Sequence, residues 1–126
     1  MGKSINYIST RGDSDTLKFN DVIFEGLAAD GGLYVPEKWP TLSDEQINSF
    51  EEKSYNEIAH DVISVFLDDS ISSQDLTNII NHSYSMFTNP EITPLRKFDQ
   101  NNYLLELFHG PTFAFKDVAM QFIGNI

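Results

Sequence analysis

One lysine stands alone in the stretch Glu106-Leu107-Phe108-His109-Gly110-Pro111-Thr112-Phe113-Ala114-Phe115-Lys116-Asp117-Val118-Ala119-Met120, and its type and setting suit covalent chemistry. Lys116 follows a Gly110-Pro111 turn and is flanked by aromatic and small apolar residues; the Lys or Arg before it is Lys97. An ammonium in apolar surroundings loses hydration, which favours the neutral amine. A neutral amine can attack a carbonyl and hold it as a Schiff base. The neighbours have plainer roles. Asp117, in the first turn of a helix, would favour the helix dipole and accept a capping hydrogen bond. His109 would orient the turn, while Phe113 and Phe115 would pack in a core. His60 and His82 have no second ligand at metal spacing, so no metal site is expected.

Lys116 needs elements that hold it. Tyr103-Leu104-Leu105-Glu106-Leu107-Phe108 is a nearly continuous apolar run, as expected of a strand covered on both faces. His109 to Thr112 forms a turn, and a helix opens near Asp117 with Val118, Phe122 and Ile123 on one side. This order puts the lysine at the carboxyl end of a strand, where open α/β sheets bind ligands. Asn89-Pro90 and Thr93-Pro94 interrupt the preceding helical pattern and suggest a boundary between residues 1–90 and 91–126.

The first ninety residues read as mostly helical with short strands. A strand from Ser4 to Ser9 leads into the turn Arg11-Gly12-Asp13. A helix is expected after Asn20 as N-cap, with Val22, Ile23, Phe24 and Leu27 on its buried side and its end at Gly31-Gly32. Leu33-Tyr34-Val35 extends up to Pro36. Three capping boxes, Ser43 with Gln46, Ser54 with Glu57 and Ser72 with Asp75, announce three further helices. The second carries an apolar face of Tyr55, Ile58, Ala59, Val62, Ile63, Phe66 and Leu67. The third carries Leu76, Ile79, Ile80 and Tyr84 or Phe87. No internal repeat or low-complexity segment is visible.

Composition excludes several function classes. The 126 residues, 40% hydrophobic, suffice for one core but not for two full domains. The net charge of −11, from 8 Lys and Arg against 19 Asp and Glu, leaves no basic stripe for a nucleic acid. With no cysteine there is no disulfide framework and no thiolate metal site. Neither a membrane span nor an apolar leader stands out, so a cytoplasmic location is expected.

The run from His109 to Asp117 resembles the pyridoxal-phosphate (PLP) lysine motif of threonine synthases. Tyr7-Ile8-Ser9-Thr10-Arg11-Gly12 and Phe24-Glu25-Gly26-Leu27-Ala28-Ala29-Asp30-Gly31-Gly32-Leu33-Tyr34-Val35-Pro36 are similar to the opening of the same family. The resemblance implies an α/β PLP enzyme of fold type II, α+β in the part present. Residues 1–90 would form the N-terminal domain, and 91–126 the first strand and helix of the PLP-binding catalytic domain. It implies Lys116 as the catalytic and cofactor-binding residue and O-phospho-L-homoserine as the small-molecule substrate, converted with water to L-threonine and phosphate.

Members of that family run to several hundred residues, so the chain is expected to be a truncated N-terminal part. It has no Gly-rich loop for the cofactor phosphate, Gly31-Gly32 and Gly124 being isolated, and is expected to be inactive alone. A strand at Tyr103 without sheet neighbours would leave the tail poorly protected and prone to self-association. The alternatives are another fold type II lyase or dehydratase, and a non-catalytic homologue binding a phosphorylated metabolite or a protein.

Overall fold

The computed structural model describes residues 5–126; Ser4, the expected start of the first strand, lies outside the described residues. The fold mixes short helices with two two-stranded antiparallel sheets. The chain divides into two units. One runs up to Ser49 and returns from Asp61 to Ser73; the other takes Phe50–His60 and Gln74–Ile126.

In the first unit, β1 (Tyr7–Ser9) pairs antiparallel with β2 (Tyr34–Pro36), in the register Tyr7 to Pro36 and Ser9 to Tyr34. Tyr7 is buried, and its hydroxyl donates to the Phe66 carbonyl at 2.6 Å. The Arg11-Gly12-Asp13 segment is the expected turn, with the Gly12 amide on the Ser9 carbonyl at 3.1 Å. Asp30 ties this turn to the strand. Its carboxylate accepts from the Ser9 hydroxyl at 2.7 Å, the Gly32 amide at 2.9 Å and the Asp13 amide at 3.0 Å. The Ser9 bond foremost, then the Gly32 amide, holds the Asp30 carboxyl below its ordinary range.

Helix α1 (Phe19–Glu25) is shorter than its periodicity suggests. Lys18 rather than Asn20 stands at its N-cap, without a side-chain capping bond, and the chain leaves the helix at Gly26, where φ is 71°. Glycine takes that backbone without steric cost. The expected end at Gly31-Gly32 serves a different purpose: a Cβ at Gly32 would stand 2.2 Å from Ser9 Oγ. The expected buried side holds only in part: Val22 and Ile23 are half-buried, but Phe24 is 90% exposed and Leu27 lies outside the helix. In this unit Trp39 meets Phe66 edge to face, ring centres 6.3 Å apart.

Two capping boxes form as the sequence indicates. Ser43 and Gln46 exchange bonds of 2.9 and 3.2 Å at the start of α2 (Asp44–Asn48), which passes into a 3₁₀ turn at Ser49–Glu52. Ser54 and Glu57 exchange bonds of 2.8 and 3.4 Å before α3 (Tyr55–Ser64). That helix stops before Phe66 and Leu67, and of its expected face only Leu67 is fully buried.

The second unit is built on α4 (Ser73–Tyr84), which buries Leu76, Ile80, Ser83 and Tyr84 at helical spacing. Ser83 satisfies its buried hydroxyl on the Ile79 carbonyl one turn back, at 2.7 Å. The helical pattern ends before Asn89-Pro90. Ile92, buried and β-branched, there takes a left-handed backbone with φ 58°. Strands β3 (Leu95–Lys97) and β4 (Tyr103–Leu105) then form a hairpin whose tip is organised by the Asp99 side chain, which accepts from the Asn101 and Asn102 amides at 2.9 Å.

This hairpin corrects three expectations. The strand ends at Leu105 rather than Phe108, and it has a partner, β3. Its residues are exposed instead of covered on both faces, so the apolar run marks a surface of this chain rather than an interior strand. Helix α5 (Asp117–Ile123) starts where the sequence places it; Val118 and Phe122 are half-buried and Ile123 is exposed.

Candidate functional site

The segment between β4 and α5 is held at three places. The Glu106 amide reaches the Pro94 carbonyl at 3.0 Å, carrying the hairpin pairing one residue further. The Glu106 carboxylate meets His109 Nε2 at 2.8 Å and lies 3.8 Å from Arg96 Nε. The His109 carbonyl accepts from the Thr88 amide at 3.0 Å and the Thr88 hydroxyl at 3.3 Å. His109 therefore does orient the turn, through both its ring and its backbone.

Asp117 is the centre of the next stretch. It is only 3% exposed, and its two carboxylate oxygens accept from the Thr112 amide at 2.8 Å and the Thr112 hydroxyl at 2.7 Å. Gly110 packs directly against it. A Cβ at Gly110 would lie 2.5 Å from Asp117 Cβ and 2.6 Å from Oδ2, closer than any side chain tolerates. Burial pushes the Asp117 carboxyl up, but bonds from the Thr112 hydroxyl and amide and from the Ala114 and Phe113 amides outweigh it, leaving the group below its ordinary range. A depressed carboxyl contributes stability in full above the unfolded value of about 3.9, and loses it as pH falls through the lower folded value. We expect Gly110→Ala to force this turn open and to cost about 1–3 kcal/mol, the usual penalty of overpacking. Urea unfolding checks this, and an unchanged midpoint would show that the turn yields freely.

Lys116 stands at the last position before α5, with helical backbone (φ −64°, ψ −20°), and its carbonyl accepts from the Ala119 and Met120 amides at 3.1 and 2.8 Å. Its side chain is exposed, and so are Phe113 at 74% and Phe115 at 64%. This corrects the expected apolar setting: in this chain the aromatic neighbours neither enclose the lysine nor pack in a core. Phe113 also takes a left-handed backbone with φ 61°, a conformation an aromatic residue holds only when its surroundings enforce it.

A second support reaches α5 from α4. The Tyr84 hydroxyl donates to the Val118 carbonyl at 3.1 Å, and the Tyr84 ring stands edge to face with Tyr55, centres 5.1 Å apart. Burial first, and then the adjoining Tyr55 phenol, raises the Tyr84 hydroxyl well above its ordinary value. It stays a donor at any pH of interest.

The structure thus gathers Thr88, Glu106, His109, Gly110, Thr112 and Asp117 around the chain entering Lys116. The residue pattern alone pointed to the lysine and to His109 but missed Glu106, Thr112 and Gly110 as supports. The spacing of a hydroxyl five residues before a carboxylate, directly after a Gly-Pro pair, was the available signal. The N-terminal signature belongs to the other unit. Among the described residues, no cluster of His, Asp and Glu could hold a metal ion, and no helix is long and apolar enough to cross a membrane.

Residues 6–84 match the family model described as threonine synthase N terminus. The chain belongs to the threonine synthase family. A threonine synthase from Schizosaccharomyces pombe is 46% identical over 127 residues, covering 100% of this chain and 25% of the relative. One from Pseudomonas aeruginosa is 45% identical, covering 97% and 26%. The crystal structure of a PLP-bound threonine synthase from Brucella melitensis superposes with a TM-score of 0.94 at 43% identity, over 97% of this chain and 26% of that one. The chain therefore spans about a quarter of the length of the threonine synthases it matches. The mixed helix and short-strand fold is that of the corresponding region in these enzymes.

Proposed function

We propose that this chain is the part of a PLP-dependent threonine synthase that carries the cofactor lysine, Lys116. The observation that carries this is the His109–Asp117 turn: it delivers an exposed primary amine on a backbone fixed at both sides, in a chain 46% identical to a threonine synthase. A covalent cofactor anchor needs a reachable nitrogen and a rigid support, and this segment fits both. The whole enzyme would convert O-phospho-L-homoserine and water to L-threonine and phosphate, as a carbon–oxygen lyase acting on phosphates in the cytoplasm. Residues 1–90 would serve as its N-terminal domain and 91–126 as the start of its catalytic domain.

When bound, PLP supplies an electron sink for carbanion character at the substrate carbon. This chain contributes the Lys116 amine, which would hold the cofactor carbonyl and then, once released, move protons at the substrate carbons. Asp117, Thr112 and His109 hold the lysine's backbone, and Tyr84 holds the first turn of the helix behind it. With no Gly-rich phosphate loop in the sequence, the 126 residues alone would not turn over substrate. The test is borohydride reduction of a full-length threonine synthase carrying this sequence, followed by peptide mapping. The cofactor should be found on Lys116, and a label on another lysine would refute the assignment.

The same reading predicts that the chain by itself associates through its hairpin. Phe98 is 80% exposed, and Tyr103, Leu104 and Leu105 are each more than half exposed along β4, a strand edge with apolar side chains. Sedimentation velocity should show species above 14.3 kDa that dissociate on dilution, and Leu104→Lys should shift the balance to monomer. A strictly monomeric chain at high concentration would disprove it.

A further inference from the structure

We propose that Asp117 is a positioning residue for Lys116: its buried carboxylate folds residues 110–117 around itself and thereby sets the direction from which the lysine amine meets a carbonyl. This rests on reading Lys116 as the cofactor lysine. It adds a function for a residue that would otherwise be only a helix-dipole carboxylate.

The geometry separates the two roles. A carboxylate that serves its own helix can sit in water near the first turn. Asp117 instead is 3% exposed, and its side-chain bonds run backwards, the two shortest to Thr112 five residues earlier and others to the Phe113 and Ala114 amides. A buried charge needs compensation, and here it comes from N–H and O–H groups of the turn itself. The carboxylate is thus the template on which the turn closes. Gly110 lies against it with no room for a Cβ. Phe113 is kept in a left-handed conformation within the loop so formed.

The consequence for Lys116 is direct, because it is the residue next to Asp117 in the chain. Upstream, the Asp117 amide bonds the Ala114 carbonyl at 3.0 Å, and the Asp117 side chain holds Thr112. Downstream, the Lys116 carbonyl is held by the Ala119 and Met120 amides. The Lys116 Cα is fixed from both sides, leaving the four side-chain torsions as its freedom. Loosening Asp117 would release the backbone as well, and the amine would sample many more approach directions.

Asp117→Asn keeps the shape but replaces the charged acceptor of both Thr112 bonds with a neutral amide, one end of which can only donate, so the bond from the Thr112 amide loses its charged partner. In the 126-residue chain, exchange of the Thr112 amide should accelerate by about tenfold or more, the change expected on losing a hydrogen bond to a charged group. Protection across Leu76–Tyr84 should stay unchanged. In a full-length threonine synthase carrying the substitution, borohydride should still trap the cofactor on Lys116. The kcat should fall by about tenfold or more with KM little changed, since orientation rather than binding is lost.

Thr112→Val should behave like Asp117→Asn, and Thr112→Ser, which keeps the hydroxyl, should restore both readouts. Unchanged Thr112 exchange and kcat in Asp117→Asn would overturn the proposal. So would a loss accompanied by collapse of protection in α4, which would make Asp117 a general fold residue. Failure of the underlying reading has its own signature: trapping of the cofactor on a lysine other than Lys116 in the parent enzyme would remove this inference with it.

Discussion

Ile80→Ala should destabilise the chain by about 2–5 kcal/mol, the cost of truncating a fully buried large aliphatic side chain. Ile80 is 1% exposed and Leu76, one turn earlier on α4, is 2% exposed; they are among the most deeply buried side chains of the second unit. Removing three carbons there forfeits transfer free energy and leaves a cavity that packed neighbours only partly fill. Against a total stability of about 5–15 kcal/mol this is a large share. Phe24→Ala is the control. Phe24 is 90% exposed, so its loss should change stability by no more than about 0.5 kcal/mol, although periodicity would rank it with the core. Urea unfolding of the two variants decides the matter, and equal midpoint shifts would contradict the burial pattern.

That contrast also shows which parts of the fold a reader of the sequence can reach. Capping boxes are local, so Ser43 with Gln46 and Ser54 with Glu57 could be read directly, and both form. The α4 face was legible because Leu76, Ile80 and Tyr84 repeat at helical spacing over a long enough helix. Helix α1 was not, because apolar residues at the right spacing do not reveal whether anything covers them, and Gly26 ends the helix one residue before Leu27. The hairpin was missed for a related reason. Leu95 to Lys97 is short and two-thirds basic, and only the Asx turn at Asp99 marks it as a strand about to reverse.

At the candidate site the lysine was visible, while its setting was not. Apolar neighbours in sequence suggested a desolvated amine, yet in this chain Phe113 and Phe115 face outward. Burial depends on what lies across from a residue in space, and these neighbours are only adjacent along the chain. The supports were hidden for the opposite reason. Thr112, Gly110 and Asp117 are ordinary turn residues until folded, when Asp117 comes to lie where a Cβ at Gly110 would stand.

In a full-length threonine synthase carrying this sequence, Lys116→Ala should abolish the absorption band of the imine-linked cofactor and lower turnover by about a thousandfold or more, because on the proposed reading both the covalent anchor and the proton carrier are removed. The fold should be indifferent to it. Lys116 is exposed, and an exposed side chain can be cut back with a change within about 0.5 kcal/mol. Lys116→Arg should not rescue the enzyme, since a guanidinium stays protonated and cannot serve as the imine nitrogen. If charge alone mattered, the arginine variant would keep part of the activity. The 126-residue chain should show the reverse contrast. Without a phosphate-binding loop to guide it, PLP should label Lys116 no faster than Lys53, as read by borohydride trapping and peptide mapping. Selective labelling of Lys116 in that chain would show that it already holds a working cofactor pocket. A full band in Lys116→Ala would remove Lys116 from the chemistry altogether.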